Sequence, residues 1–209
     1  MERTQIRIVA GSHRGRKLTI DVHAGLRPTP QMVREALFSI LGHAVPGRPF
    51  YDVFAGTGVN GLEALSRGAS KAVFVERDNR LAKAIDQRLD EFRLSSRGQV
   101  LRADVYRWAD RWMVPSDGVN VFLSPPFGDF NDRIDEFLAL VGVLAGKLRQ
   151  YSVLVVQLEE GFPLEKLPDP GRWDIRHYGR NTLAFWEPED RGPSDRQDIN
   201  TDTQPLGLG

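Results

Sequence analysis

The sequence predicts an α/β fold with a doubly wound, mostly parallel sheet of seven strands, preceded by a β-hairpin and a helix. From residue 50, short apolar runs alternate with longer segments of helical periodicity, which is typical of parallel strands joined by crossover helices. The last two apolar runs are separated only by Gly179-Arg180-Asn181, so they form a hairpin and the C-terminal strand is antiparallel. The chain has 209 residues, 41% of them hydrophobic, which suffices for one sizeable core.

The predicted elements follow one another in a regular order. Strands are expected at residues 50–54, 71–76, 99–103, 119–123, 151–157, 173–178 and 182–187, and helices at 61–67, 79–94, 105–112 and 130–148. Before them, residues 6–10 and 17–22 predict a hairpin with a basic, glycine-containing loop. Thr29 is expected to cap the helix that follows, with Pro30 at its first position. We therefore divide the chain into a basic appendage (1–48), the main α/β domain (49–187) and an acidic tail (188–209) that we expect to be disordered.

Charge is distributed unevenly, although the formal net charge is zero. Residues 1–48 contain eight arginine or lysine residues against three acidic ones, whereas residues 187–209 contain six acidic residues and two arginines. A basic front end favours a polyanionic partner, and a merely solvated surface is the alternative.

Several functional classes are excluded by composition. The chain has no cysteine, so disulfides, thiolate zinc sites and a thiol nucleophile are ruled out. Its four histidines are scattered without metal-ligand spacing, so we expect no metal. No apolar stretch approaches membrane-spanning length and the start lacks a signal-peptide pattern, so we expect a cytoplasmic protein. We also expect a monomer.

A glycine-rich turn follows the first strand of the main domain. Gly56, Gly58 and Gly61 fit the spacing G-x-G-x-x-G, and Glu76 lies 20 residues after Gly56 at the end of the next strand. Such a turn brings backbone close to a nucleotide, and an acidic residue at that distance suits the two hydroxyls of a ribose. A nicotinamide-dinucleotide site fits this spacing equally well.

Two features favour S-adenosyl-L-methionine as the nucleotide: an acidic residue before the glycine-rich turn, and a second turn described in the next paragraph. The acidic residue is Asp52, whose carboxylate can hold the ammonium group of the cofactor directly or through water. Asp104 follows the third strand, where its side chain can accept from an adenine amino group while Val105 packs on the ring; alternatively, Asp104 only caps a helix, as Asp78 is expected to do. The complete predicted cofactor site is Asp52, Phe54, Ala55, Gly56, Thr57, Gly58, Gly61, Glu76, Arg77, Asp104 and Val105.

The second feature is the acceptor turn, Ser124-Pro125-Pro126-Phe127, at the end of the fourth strand. The prolines stiffen the turn and lack N–H donors, so the Ser124 hydroxyl and a backbone carbonyl can accept from an exocyclic amine. Phe127 can stack on the base that carries this amine. These four residues predict transfer of a methyl group to nitrogen, and they have no role in hydride transfer.

These motifs, with the N-terminal residues, resemble the bacterial 16S ribosomal RNA guanine-N2 methyltransferases of the RsmD type. The resemblance runs from residue 6 to about residue 188, and its blocks are residues 7–11, 14–18, 26–29, 33–38, 52–58, 61–68 and 125–127. It implies a Rossmann-like class I methyltransferase fold, S-adenosyl-L-methionine as methyl donor and 16S ribosomal RNA in a small ribosomal subunit as substrate.

One residue departs from the family pattern. The family has aspartate, sometimes asparagine, before the two prolines, and this chain has Ser124. Ser-Pro-Pro resembles the signature of DNA cytosine-N4 methyltransferases. A cytosine-N4 or adenine-N6 methyltransferase, or a catalytically impaired homologue that binds cofactor or RNA, therefore stays open beside the guanine-N2 enzyme.

The basic residues Arg14, Arg16, Lys17 and Arg27 are predicted to contact RNA. Such contacts hold phosphates and position the nucleic acid without specifying its sequence. A base within folded RNA must leave its stack to reach the acceptor turn.

Overall fold

The computed structural model describes residues 2–22 and 28–189. Its strands are β1 (Glu2–Arg7), β2 (Lys17–Val22), β3 (Phe50–Val53), β4 (Ala72–Val75), β5 (Gly98–Leu101), β6 (Asn120–Leu123), β7 (Val153–Glu159), β8 (Asp174–Tyr178) and β9 (Asn181–Trp186). Its helices are α1 (Gln31–Leu41), α2 (Val59–Ser66), α3 (Asn79–Glu91), α4 (Val105–Arg111), α5 (Phe127–Asp132) and α6 (Ile134–Lys147). Among these described residues, no helix is both long and apolar enough to cross a membrane.

The seven strands of the main sheet run in the order β5-β4-β3-β6-β7-β9-β8. All pairings from β5 to β7 are parallel, and β9 is antiparallel to both of its neighbours, so the predicted fold is confirmed. The antiparallel C-terminal strand inserts between β7 and β8, which leaves β8 at the edge. The order of strands reverses at β3 and β6, and ligands of doubly wound sheets bind at such a point.

Helices cover both faces of this sheet. One face is covered by α1, α2, α3 and the β1-β2 hairpin, which bury apolar side chains against β3, β4, β6, β7 and β9. These side chains form two clusters, which include Ile8, Leu37, Phe50, Leu62 and Phe74. On the other face, α4 and α6 pack on side chains of the alternate register. The appendage predicted for residues 1–48 therefore contributes, where it is described, to the layer that covers the sheet.

The hairpin differs from the prediction because its backbone finds other partners. Pairing of β1 with β2 ends at Arg7 and Lys17, and the N–H groups of Val9 and Ala10 donate to the Glu63 carboxylate on α2, at 2.8 and 3.0 Å. These two residues were predicted to continue the strand. A buried carboxylate thus replaces the ladder and attaches the hairpin to α2.

Thr29 does not cap α1, which corrects the prediction. The residue at the cap position is Pro30, whose side chain makes no capping hydrogen bond. The Thr29 hydroxyl instead donates to Gln157 on β7 at 2.9 Å. The buried Arg34 side chain supports this arrangement, since it donates to the carbonyl oxygens of Thr29 and Arg7 at 2.8 and 2.9 Å.

The single helix predicted over residues 130–148 is two helices. Arg133 has φ −138°, outside the helical region, and separates α5 from α6. Its guanidinium pairs with Glu136 in the first turn of α6. The short α5 therefore directly follows the acceptor turn and is separate from α6.

Gly61 provides a test of how closely α2 packs on the sheet. A Cβ atom at Gly61 would lie 2.2 Å from Cε1 of Phe74 on β4. We expect Gly61→Ala to lower the free energy of unfolding by about 2 kcal/mol, because a buried aromatic ring must move. Chemical denaturation measures this loss.

The matched control is Gly146→Ala, near the end of α6, where an added Cβ meets none of the described residues within 4 Å. This variant should be neutral or stabilising by up to about 1 kcal/mol. Equal effects of the two substitutions would contradict the close approach of α2 to β4.

Candidate active site

The predicted site residues lie at one edge of the sheet because their strands end in register. The pairings of β3 with β4 and with β6 end at Val53, which is opposite Val75 and Leu123. The next residues, Phe54, Glu76 and Ser124, therefore emerge side by side at the carboxyl ends of adjacent strands.

The turn after β3 has an unusual backbone. Phe54, Gly56 and Gly58 have positive φ angles of 61°, 53° and 73°. Glycine adopts this conformation freely, whereas it is strained for phenylalanine, and such strain persists mainly where the surrounding structure requires it. The Gly58 N–H donates to the Ala55 carbonyl at 2.7 Å, which closes the turn immediately before α2.

Glu76 organises this turn from the neighbouring strand. One carboxylate oxygen accepts from the Gly56 N–H and the other from the Asp78 N–H, both at 2.8 Å. Each oxygen of an ionised carboxylate has a further lone pair. Glu76 can thus hold the turn and still accept from two vicinal hydroxyl groups.

Asp52 lies deeper than its neighbours in the predicted site. Its side chain is fully buried, and Oδ2 accepts from the Gly61 N–H at 2.9 Å. Burial raises the pKa of Asp52 to about 8, the Gly61 hydrogen bond opposes this rise, and the charge of Glu76 adds to it. Oδ1 has no hydrogen-bond partner among the described residues. An unpartnered buried oxygen beside the glycine turn fits a cationic group of a ligand.

The remaining cofactor-site predictions fall at three places around this edge. Asp104 is partly exposed and caps α4 by accepting from the Arg107 N–H at 3.2 Å, so it acts as a cap whether or not it also contacts adenine. Asp78 caps α3, as predicted. Arg77 is exposed, and the other three are buried: Ala55, Thr57 and Val105.

The acceptor turn lies between β6 and α5. The Ser124 N–H donates to the Val53 carbonyl at 3.3 Å, and its hydroxyl, which is partly exposed, donates to Oε1 of Gln157 at 3.2 Å. Pro125 is buried, whereas Pro126 is exposed and precedes the first residue of α5. The Phe127 backbone begins α5, and its side chain lies outside the described part of the structure.

A polar and aromatic cluster next to this turn was missed in the sequence. The Tyr106 hydroxyl of α4 donates to Asp129 of α5 at 2.6 Å, and burial, followed by this bond, raises the pKa of Tyr106. The ring of Tyr106 meets Phe54 edge to face, and the Arg133 guanidinium lies 3.9 Å from its centroid. Through Phe54 and Asp129, the cluster joins the turn after β3 to α5. The one signal of this cluster in the sequence is Tyr106, which directly follows Val105 of the predicted cofactor site.

The predicted RNA contacts on the hairpin are solvent-accessible. Arg14 and Lys17 are exposed, and Arg14 lines a pocket of about 250 Å³ together with Arg7 and Gln31. The Arg16 guanidinium donates to the Glu91 carbonyl and lies 4.2 Å from the centroid of Phe92. Arg27 lies outside the described residues.

Comparison with known proteins assigns the chain to a family. A family model described as conserved hypothetical protein 95 matches residues 6–187. The chain belongs to this family. Ribosomal RNA small subunit methyltransferase D of Escherichia coli strain K12 is 31% identical over 197 residues, which cover 91% of this chain and 94% of that protein. The predicted RsmD-type class I methyltransferase is thereby confirmed.

Solved structures agree with this assignment. The E. coli protein yhhF superimposes with a TM-score of 0.70 at 26% identity, over 89% of this chain and 99% of that one. The 16S rRNA N2 G1207 methyltransferase RsmC of T. thermophilus, in complex with AdoMet and guanosine, gives a TM-score of 0.68 over 90% of this chain and 50% of that one. At 23% identity, this second likeness concerns the fold alone.

S-adenosyl-L-methionine as the methyl donor of the methyltransferase is confirmed at the level of the family. The geometry of the site fits this donor. Glu76 has acceptor capacity for the ribose, Asp52 has an unpartnered oxygen for the ammonium group, and the glycine turn lies between them. The contacts of individual residues with the cofactor stay predictions.

Proposed function

We propose that this methyltransferase transfers a methyl group to the exocyclic N2 of a guanine in 16S ribosomal RNA of the small subunit. The observation that carries the proposal is the register that brings the Ser124 hydroxyl level with the Glu76 carboxylate, across β3. The turn predicted to hold the acceptor amine and the turn predicted to hold the nucleotide thus follow adjacent strands, which supports transfer between them. The name and length coverage of the E. coli relative support ribosomal RNA as the substrate.

The chemistry required of the chain is modest. S-adenosyl-L-methionine, when bound, supplies a methyl group on a positively charged sulfur. Ser124 and the turn's carbonyl groups accept from the N–H bonds of the guanine amine and align its nitrogen with that methyl. The N–C bond forms as the S–C bond breaks, and the amine then loses a proton to water. No strong base is needed, because the amine becomes acidic only once it is methylated.

Arg14, Arg16, Lys17 and Arg27 would hold phosphates of the RNA. Arg14 and Lys17 are exposed on the hairpin, and Arg16 is fixed against α3 by its contacts with Glu91 and Phe92. A ribosomal substrate agrees with the cytoplasmic location expected from the sequence. The monomeric state and the lack of a metal stay predictions.

Nucleoside analysis tests the proposal directly. Small subunits that lack the modification are incubated with the protein and methyl-labelled S-adenosyl-L-methionine, and the RNA is digested to nucleosides. The expected result is label in N2-methylguanosine. Label in another nucleoside, or no label although the cofactor binds, would contradict it.

Ser124 favours one alternative, because Ser-Pro-Pro also fits a cytosine-N4 or adenine-N6 enzyme. The same digestion separates these activities, since N4-methylcytidine and N6-methyladenosine differ from N2-methylguanosine in retention and mass. An impaired homologue predicts instead that the wild type barely turns over and that Ser124→Asp raises turnover.

A further inference from the structure

We propose that Gln157 is a positioning residue for the acceptor turn and that it makes the Ser124 hydroxyl a pure hydrogen-bond acceptor. Its side-chain oxygen accepts the hydrogen bond that the Ser124 hydroxyl donates, so that both lone pairs of the serine oxygen are available to the amine of the target base. The inference rests on the proposed function, because it assigns Ser124 to an amine acceptor.

Sheet register places the two residues together. The pairing of β6 with β7 joins Leu123 to Val156, so Ser124 and Gln157 are the next residues on adjacent strands. Residues 153–158 of β7 are all buried, and Gln157, which is 7% exposed, is the polar residue among them. A buried amide in an apolar strand is unfavourable unless its oxygen and nitrogen are both hydrogen-bonded.

Hydrogen bonds fix the orientation of this amide. Oε1 of Gln157 accepts from the Thr29 hydroxyl at 2.9 Å as well as from Ser124, and Nε2 donates to Asn181 of β9 at 2.8 Å. Thr29 in turn accepts from Nδ2 of Asn60 at 3.1 Å, so its own proton is directed at Gln157. A reversed amide would leave the Thr29 hydroxyl without this acceptor and would place the Gln157 oxygen against the Asn181 oxygen.

The consequence for Ser124 follows from the chemistry of a hydroxyl group. A free serine rotates and presents either its proton or its lone pairs, and a proton facing an N–H group is repulsive. A carboxylate needs no such control, because it only accepts. The family pattern has an acid at this position, and this chain has a serine hydroxyl whose proton is donated to Gln157. The serine oxygen therefore acts as an acceptor, as a carboxylate oxygen does, but without the negative charge.

Gln157→Leu tests the inference. We expect kcat for methyl transfer to fall about tenfold, because the hydroxyl is no longer oriented toward the amine. The affinity for S-adenosyl-L-methionine, measured by calorimetry, should change less than about twofold, since the side-chain hydrogen bonds of Gln157 go to Thr29, Ser124 and Asn181. Gln157→Glu retains an acceptor for the hydroxyl, and kcat should return to within about threefold of the wild type. The matched control is Gln99→Leu, an exposed glutamine on β5, which should leave kcat unchanged.

A double-mutant cycle separates positioning from general damage to the fold. Ser124→Ala alone should lower kcat about 100-fold, and Gln157→Leu added to it should lower kcat less than about twofold further. Three results would overturn the inference. These are an equal loss of kcat from Gln157→Leu in the wild type and in Ser124→Ala, an unchanged kcat in Gln157→Leu, and no recovery of kcat in Gln157→Glu. Label in cytosine or adenine would refute the guanine assignment while the coupling of Ser124 to Gln157 remains measurable. A wild type that methylates no nucleoside would refute both.

Discussion

Asp52→Asn is expected to weaken the binding of S-adenosyl-L-methionine by roughly 10- to 100-fold, which corresponds to the loss of one charge-assisted hydrogen bond. Asp52 is buried, its Oδ1 has no partner among the described residues, and its pKa is raised to about 8. Binding of the cofactor ammonium requires the ionised carboxylate. The wild-type affinity should therefore rise between about pH 6 and 7.5, below the range in which the amino group of the ligand loses its own proton.

Calorimetric titration at several pH values measures both effects. The asparagine variant should bind with little dependence on pH over this range, because its side chain does not ionise. Asp117→Asn, at an exposed position, is the matched control and should bind like the wild type. A wild-type affinity that does not change with pH, or an Asp52→Asn variant of normal affinity, would refute this role.

The same pKa predicts a pH effect on the protein without ligand. The pKa of Asp52 is higher in the folded chain than in the unfolded chain, so the unfolded state releases its proton first as pH rises. The stability from the protonated form is complete below about pH 4 and is lost as pH rises to about 8. Asp52→Asn lacks this loss and should exceed the wild type in stability at pH 8, which chemical denaturation measures.

Glu63→Ala is expected to lower the free energy of unfolding by about 3–5 kcal/mol and to release the hairpin from α2. The Glu63 side chain is fully buried, and it accepts from the Val9 and Ala10 N–H groups and from Nε of Arg67. It also opposes the lowering of the Arg34 pKa that burial causes. Its removal leaves two partly buried N–H groups and the partly exposed Arg67 guanidinium without this acceptor, and it takes a stabilising negative charge away from the buried Arg34.

Denaturation and limited proteolysis of the hairpin loop measure these effects. Glu63→Gln should lose less stability, because an amide oxygen still accepts from one N–H group. Glu91→Ala, at the exposed end of α3, is the matched control and should change stability by less than about 0.5 kcal/mol. A loss below about 1 kcal/mol in Glu63→Ala would contradict the anchoring role.

The succession of strands and helices along the chain and the edge that carries the candidate site were predictable, because they follow from local patterns. Short apolar runs mark β3 to β9, and polar residues at their ends mark the residues that emerge together. Asp78 was predictable as a cap since it directly precedes a helical pattern. In a parallel sheet, the residues that follow the carboxyl ends of the strands lie at one edge, whatever the packing of the helices.

Contacts between distant segments were not predictable. Thr29 has the residue type and position of a helix cap, yet its hydroxyl bonds to a residue 128 positions away. Gly61 fits a nucleotide-binding pattern, but this pattern does not indicate that it packs against Phe74 and donates to Asp52. The polar Gln157 at the end of an apolar strand was a visible signal, but its partners depend on the pairing of β6 with β7.

A crystal structure with S-adenosylhomocysteine bound tests the central claim most directly. The ribose hydroxyls should lie within hydrogen-bonding distance of Glu76, the ammonium group should approach Asp52, and the sulfur should face the Ser124 hydroxyl across the end of β3. A ligand bound at any other edge of the sheet, or one whose sulfur faces away from the acceptor turn, would contradict the account.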